Sequence, residues 1–166
     1  MYLATVKLGQ EDVMETNTDL YEQDFFQWTQ ITAALIRQGK WHAVDAKCVA
    51  EELESLGKRD RRELASRLQV LVMHLLKWRY QPERRIQGHS WRSTIRTQRL
   101  ELRLLLRDSP SLRPQVSAFV ADVYPAARAE ACDETGVPET TFPQECPWTA
   151  DQILNDGFWP AGTTQA

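Results

Sequence analysis

At 166 residues and 19.2 kDa the chain has the length of a single domain. Leu, Val, Ile and Phe number 38 (18 Leu, 10 Val, 5 Ile, 5 Phe), or 23% of the chain, above the roughly 20% below which a charged sequence stays disordered. The longest apolar runs fall far short of the roughly 18 residues of a membrane span, and the opening MYLATVKLGQEDV lacks the basic and apolar regions of a signal peptide.

The expectation is therefore a cytoplasmic protein with no membrane contact. Three cysteines at irregular spacing, Cys48, Cys132 and Cys146, suit a reducing compartment better than a disulfide scaffold. The formal net charge of −3 conceals a strong division. Residues 1–57 hold 4 basic and 10 acidic side chains, a net of −6. Residues 58–107 hold 14 and 4, a net of +10, and residues 108–166 hold 2 and 9, a net of −7. A basic middle lies between two acidic flanks.

Residues 1–18 read as a flexible arm, followed by one helical domain over 19–160 and a disordered tail at 161–166. Between Asp19 and Gly39, apolar residues at Tyr21, Phe25, Trp28, Ile31 or Thr32 and Leu35 recur every three or four positions, which predicts one helix. Asp19 with Glu22 resembles a capping box, and Gly39 suits a helix stop. The stripe Val49, Leu53, Leu56, Leu64, Leu68, Leu71, Leu75 then runs almost in phase from Asp45 to Tyr80. Gly57 falls inside it, and the reading favours two nearly collinear helices, 45–56 and 59–80. After a loop at 81–89, Ser90 caps a helix from Trp91 to Arg107 that Ser109-Pro110 closes. Another helix spans about 114–134, where Pro125 is expected to force a kink or break. The proline-rich stretch 137–148 reads as extended. It leads to Thr149, which with Gln152 forms a capping box for a short helix ending near Gly157. The fold class is all-α: a single compact bundle of about five main helices and a short C-terminal one.

Arg92, Arg96, Arg99, Arg103 and Arg107 stand at intervals of 4, 3, 4 and 4, so five guanidiniums form a ridge on one helix. Arg84 and Arg85 add a cluster in the preceding loop, and Lys58, Arg59, Arg61 and Arg62 another upstream. The guanidinium fork suits phosphate or carboxylate, which makes the ridge a candidate anion-binding or partner-binding surface. Internal ion pairing with the acidic flanks is the competing use. Trp78 and Trp91 flank the basic loop and are candidate stacking platforms for nucleic-acid bases, although anchoring of irregular segments uses tryptophan equally well.

No catalytic or metal-binding residue is assigned. His42, His74 and His89 form no pair at ligand spacing, and the cysteines make no Cys-x-x-Cys. Nucleophile elbow, phosphate loop and dinucleotide fingerprint are missing, and the lone Cys146-Pro147 is no haem motif, so no cofactor is expected.

The runs YEQDFFQWTQ, EELESLGKRDRREL, HLLKWRYQPERR, SWRSTIRTQRLEL, SPSLRP and TFPQECPWT with FWP occur in this order between Tyr21 and Pro160. In this the chain resembles the bacterial family known as domain of unknown function 29. The resemblance implies a small, cytoplasmic, all-helical protein without an established activity, and brings no catalytic residues with it.

The leading expectation is a non-enzymatic interaction or regulatory protein that engages an unidentified protein partner through its arginine-rich helix face. One alternative is nucleic-acid binding through the basic segment 58–107. Another is an enzyme whose site is assembled from scattered residues such as Cys48, Glu51, Glu54 and His74. Homodimerisation is a further expectation for so small a bundle, because periodicity alone does not separate a core face from an interface face.

Overall fold

A computed structural model describes residues 19–85 and 89–162. The arm expected at 1–18 and most of the tail expected at 161–166 lie outside the described residues. Among those described there is no strand. The main helices are α1 (Phe25–Arg37), α2 (Ala46–Tyr80), α3 (His89–Asp108) and α4 (Val116–Thr135), with a short α5 (Ala150–Leu154). Single 3-10 segments at Trp41–Ala43, Pro82–Arg85, Pro110–Gln115 and Glu139–Thr141 lie between them. The all-α expectation holds.

Several boundaries differ from the sequence expectation, each for a local reason. Residues 19–23 form a separate helical turn, and the chain leaves helical geometry at Asp24. Asp24, rather than Asp19, then caps α1, its carboxylate accepting from the Gln27 N–H at 2.9 Å. The two helices expected at 45–56 and 59–80 are one 35-residue helix. Gly57 keeps a negative φ and continues the helix, so the cost of glycine, about 1 kcal/mol, was outweighed by the helical residues on either side. Pro125 does not end α4; its missing N–H is tolerated on an exposed position of the helix. Gly136, at φ 71°, provides the left-handed stop of α4 and donates to the Cys132 carbonyl at 2.8 Å. The capping box at Thr149 and Gln152 is present as the sequence indicates.

The chain divides into two compact units, and the boundary, at Gly57 and Lys58, falls inside α2. In the first unit, Trp28, Thr32, Ala43 and Cys48 are buried. The Tyr21 ring meets Phe25 and Trp28 edge-on. Its hydroxyl donates to Glu52 at 2.6 Å, and this bond pushes the phenol up to about 12. The stripe residues Leu53 and Leu56 are not core here; they are 64% and 50% exposed.

The second unit contains the main core. Leu64, Leu68, Leu71 and Leu75 of α2 are fully buried, and they pack with Ile95, Leu102 and Leu106 of α3 and with Val116, Val120, Tyr124, Ala127 and Ala131 of α4. The segment after α4 completes this core with Val137, Phe142, Trp148 and Ile153. Lys77 is also buried, which its sequence context in α2 does not announce. Its ammonium pairs with Glu134 of α4 and lies 4.9 Å from the centre of the Trp91 ring on α3, so one cation ties three helices together.

His74 sits half-buried on α2, with Nδ1 2.9 Å from the Val70 carbonyl, which makes Nδ1 the protonated nitrogen. Desolvation, with Lys77 nearby, holds its pKa below the ordinary value of 6.5 despite the opposing pull of the Val70 carbonyl and Glu134. The unfolded chain therefore takes up this proton first as pH falls through 6.5, and stability is lost until the folded imidazole titrates too. The denaturation midpoint is expected to drop from about pH 7.5 to pH 5, and His74→Leu is expected to flatten part of that slope. Urea titrations of both proteins across that range check it; parallel slopes would show that His74 plays no part.

Candidate partner-binding face

The arginine ridge of α3 separates into two tracks. Arg99 is in phase with Ile95, Leu102 and Leu106, at steps of 4, 3 and 4, and that track faces the core. Arg92, Arg96, Arg103 and Arg107 follow the neighbouring track and are exposed. One residue of the five has thus been taken into the interior.

Arg99 is 1% exposed, and its hydrogen bonds go to main-chain carbonyls. Its Nε donates to the Ile153 carbonyl at 2.8 Å, one terminal nitrogen donates to Phe158 at 2.8 Å, and the other reaches Asp156 at 3.5 Å. The guanidinium thereby satisfies carbonyls in the last turn of α5 and just after it, which have no further helical turn to supply donors. Burial weakens its charged form, while Asp156 nearby supports it.

The Trp159 ring lies over this arrangement, with the Arg99 and Arg92 guanidiniums 5.5 Å and 5.6 Å from its centre. Trp159 also meets Trp78 at 4.8 Å between ring centres. Arg85 continues the stack at 5.0 Å from Trp78, and donates to the Trp78 and Pro160 carbonyls. Both tryptophans proposed from the sequence as stacking platforms are engaged with the chain itself, Trp78 in this stack and Trp91 under Lys77. Arg84 is exposed in the 3-10 turn.

On the outer track, Arg103 pairs with the Asp156 carboxylate, and Arg107 makes a 3.0 Å contact with its chain neighbour Asp108. Arg103 and Arg99, with Leu106, Leu154 and Arg113 from the 3-10 segment after α3, line a cleft of about 250 Å³. Arg113 is a member of this site that periodicity did not reveal. It lies beyond Pro110, where the helical count of α3 no longer applies. Asp156 belongs to the acidic flank 108–166, so its pairing with Arg103 is one instance of the internal pairing that the charge division allows. In the basic cluster at the start of the second unit, Arg61 donates to Gln115 at 2.6 Å and covers the Phe119 ring, and Arg59 and Arg62 are exposed.

Residues 20–159 match the family described as Domain of unknown function DUF29. The chain belongs to that family. No protein among the curated ones and no solved structure matches it. Family membership carries no activity with it, so a functional reading rests on the side chains themselves.

Desolvation and the neighbouring Asp45 carboxylate hold the Cys48 thiol above its ordinary range, and burial does the same for Cys146, so neither is activated as a nucleophile. All three cysteines are free. Among the described residues no group of His, Cys, Asp and Glu is placed to hold a metal ion, and no helix is long and apolar enough to cross a membrane.

Proposed function

We propose that the protein is a non-enzymatic interaction protein that uses the outer arginine track of α3 to hold an acidic segment of a protein partner. The observation that carries this reading is the division of the ridge. Arg99 is committed to main-chain carbonyls, while Arg92, Arg96, Arg103 and Arg107 stay at the surface with Arg113 beside them. The cleft at Arg103 and Arg113 supports the choice of partner, because Leu106 and Leu154 add apolar walls to its basic rim. Arginine around an apolar depression fits a peptide that carries carboxylates next to an aliphatic side chain. A polyphosphate backbone would have little use for the leucines. The engagement of Trp78 and Trp91 within the fold also argues for a protein partner over single-stranded nucleic acid, which would need free ring faces.

The test is the fluorescence anisotropy of a labelled peptide alternating Glu and Leu, beside a labelled single-stranded DNA of equal charge, at about 50 and 200 mM salt. Peptide binding that weakens with salt and is lost in the Arg96→Glu, Arg107→Glu, Arg113→Glu triple variant, with helicity unchanged by circular dichroism, is the expected result. Tighter binding of the DNA, with the steeper salt dependence of counterion release, would replace this reading with nucleic-acid recognition. Binding of neither probe would leave the outer arginines with their contacts inside the chain, such as Arg103 with Asp156, and overturn this reading.

A further inference from the structure

A second cavity, of about 430 Å³, lies between α4 and the segment that follows it. Its volume falls within the range of small-molecule pockets. Val120, Tyr124 and Trp148 are buried apolar groups of its wall, and Ser117, Ala121 and Pro125 form the α4 side of its rim. Gln144, Glu145 and Thr149 face them from the segment that leads into α5.

The charge of this lining is one-sided. Glu145 is the only charged residue in it, and no Lys, Arg or His contributes. The Tyr124 hydroxyl spends its proton on the Pro143 carbonyl at 2.8 Å, which leaves its oxygen able only to accept. Pro125 adds a further acceptor. It has no N–H, so the Ala121 carbonyl one turn earlier loses its helical donor. Both residues are among those that line the cavity. Carboxylate, carbonyl and hydroxyl acceptors beside two aromatic rings form the surroundings that a hydrophobic cation prefers.

We infer that this cavity binds a small organic amine in its protonated form, with an apolar or aromatic body against Val120, Tyr124 and Trp148 and its ammonium toward Glu145 and the Ala121 carbonyl. Pro125 then has a use within α4: it keeps a main-chain acceptor open to the ligand. The inference is independent of the arginine face, with which the cavity shares no residue.

The experiment titrates the full chain with three probes of similar shape, benzylamine, benzyl alcohol and benzoate, and follows backbone amide and Trp148 indole shifts by NMR. The expected order of affinity is amine, then alcohol, then benzoate, with shifts centred on residues 117–125 and 144–150. Glu145→Gln is expected to weaken the amine roughly fivefold, the scale of one partly exposed ion pair, and to leave the alcohol unchanged. Pro125→Ala restores an N–H to the Ala121 carbonyl. It is expected to weaken the amine while raising the melting temperature, a combination that damage to the fold would not produce. Benzoate binding as tightly as the amine, shifts lying elsewhere, an amine affinity unaltered in both variants, or no binding at all would overturn the assignment.

Discussion

Replacing Arg99 with Met is expected to destabilise the protein by about 3–5 kcal/mol, although the substitution removes a charge from the middle of a core face. The cost arises on the acceptor side. The Ile153 and Phe158 carbonyls each receive a 2.8 Å bond from this guanidinium, and Met supplies no donor for them. Trp159 would also lose one of the two guanidiniums against its ring, keeping Arg92. At roughly 2–4 °C per kcal/mol for a chain of this size, the melting temperature should fall by about 10 °C or more. The loss is expected to be local at first. Amide hydrogen exchange from about residue 149 to 160 should accelerate before that of α2 or α3. Arg99→Lys keeps the charge and lacks the planar fork, so it is expected to recover less than half of the loss. Thermal melts combined with hydrogen exchange check both substitutions. A change within about 0.5 kcal/mol would show that the C-terminal segment holds its place without this side chain.

The second large effect contrasts two leucines of one helix. Leu71 and Leu56 both belong to the apolar stripe of α2, yet Leu71 is fully buried and Leu56 is half exposed. Leu71→Ala is expected to cost about 2–5 kcal/mol, the lost transfer energy plus the cavity left among well-packed neighbours. Leu56→Ala is expected to cost less than about 1 kcal/mol, since only part of its side chain leaves water on folding. Urea denaturation of both variants measures the difference. Equal losses would mean that the stripe is buried along its whole length, and that the first turns of α2 are as much a core element as the last.

The same two leucines mark the limit of the sequence reading. Periodicity detects which residues share a helical face, and it assigned Leu53, Leu56, Leu68 and Leu71 to one face. Whether a neighbour covers that face at a given height is a property of the assembled chain, so the pattern overstated burial near Leu56. Gly57 presents the opposite case. Its local cost suggested a break, while the phase of the stripe on either side argued for continuity, and the helix runs through. Pro125 too was given more weight as a helix breaker than its exposed position allows.

For the arginine ridge, the information was in the sequence and was read on too coarse a scale. The steps from Ile95 to Arg99, Leu102 and Leu106 already assign Arg99 to the buried track. The count of five arginines on a ridge hid the fact that one differs from the rest. Its acceptors could not have been found this way, because they are main-chain carbonyls of a segment more than fifty residues away. Main-chain groups leave no mark in a residue pattern. Arg113 is hidden for a related reason, since it lies outside the regular helices whose spacing can be counted.

By itself, then, the sequence determined the helical class, the cap at Thr149, the leucine stripe of α2 and the concentration of arginine on α3. All of these are set by interactions within a few residues, where spacing and side-chain type are enough. The tertiary structure alone decided that Arg99 is a buried donor while its neighbours stay outside. It also decided that Lys77 ties three helices, that Trp78 and Trp91 stack inward, and that Pro125 opens on a cavity. Each of these depends on which distant segment supplies the facing surface, and the free energy of burying a charge or a ring is fixed by that partner.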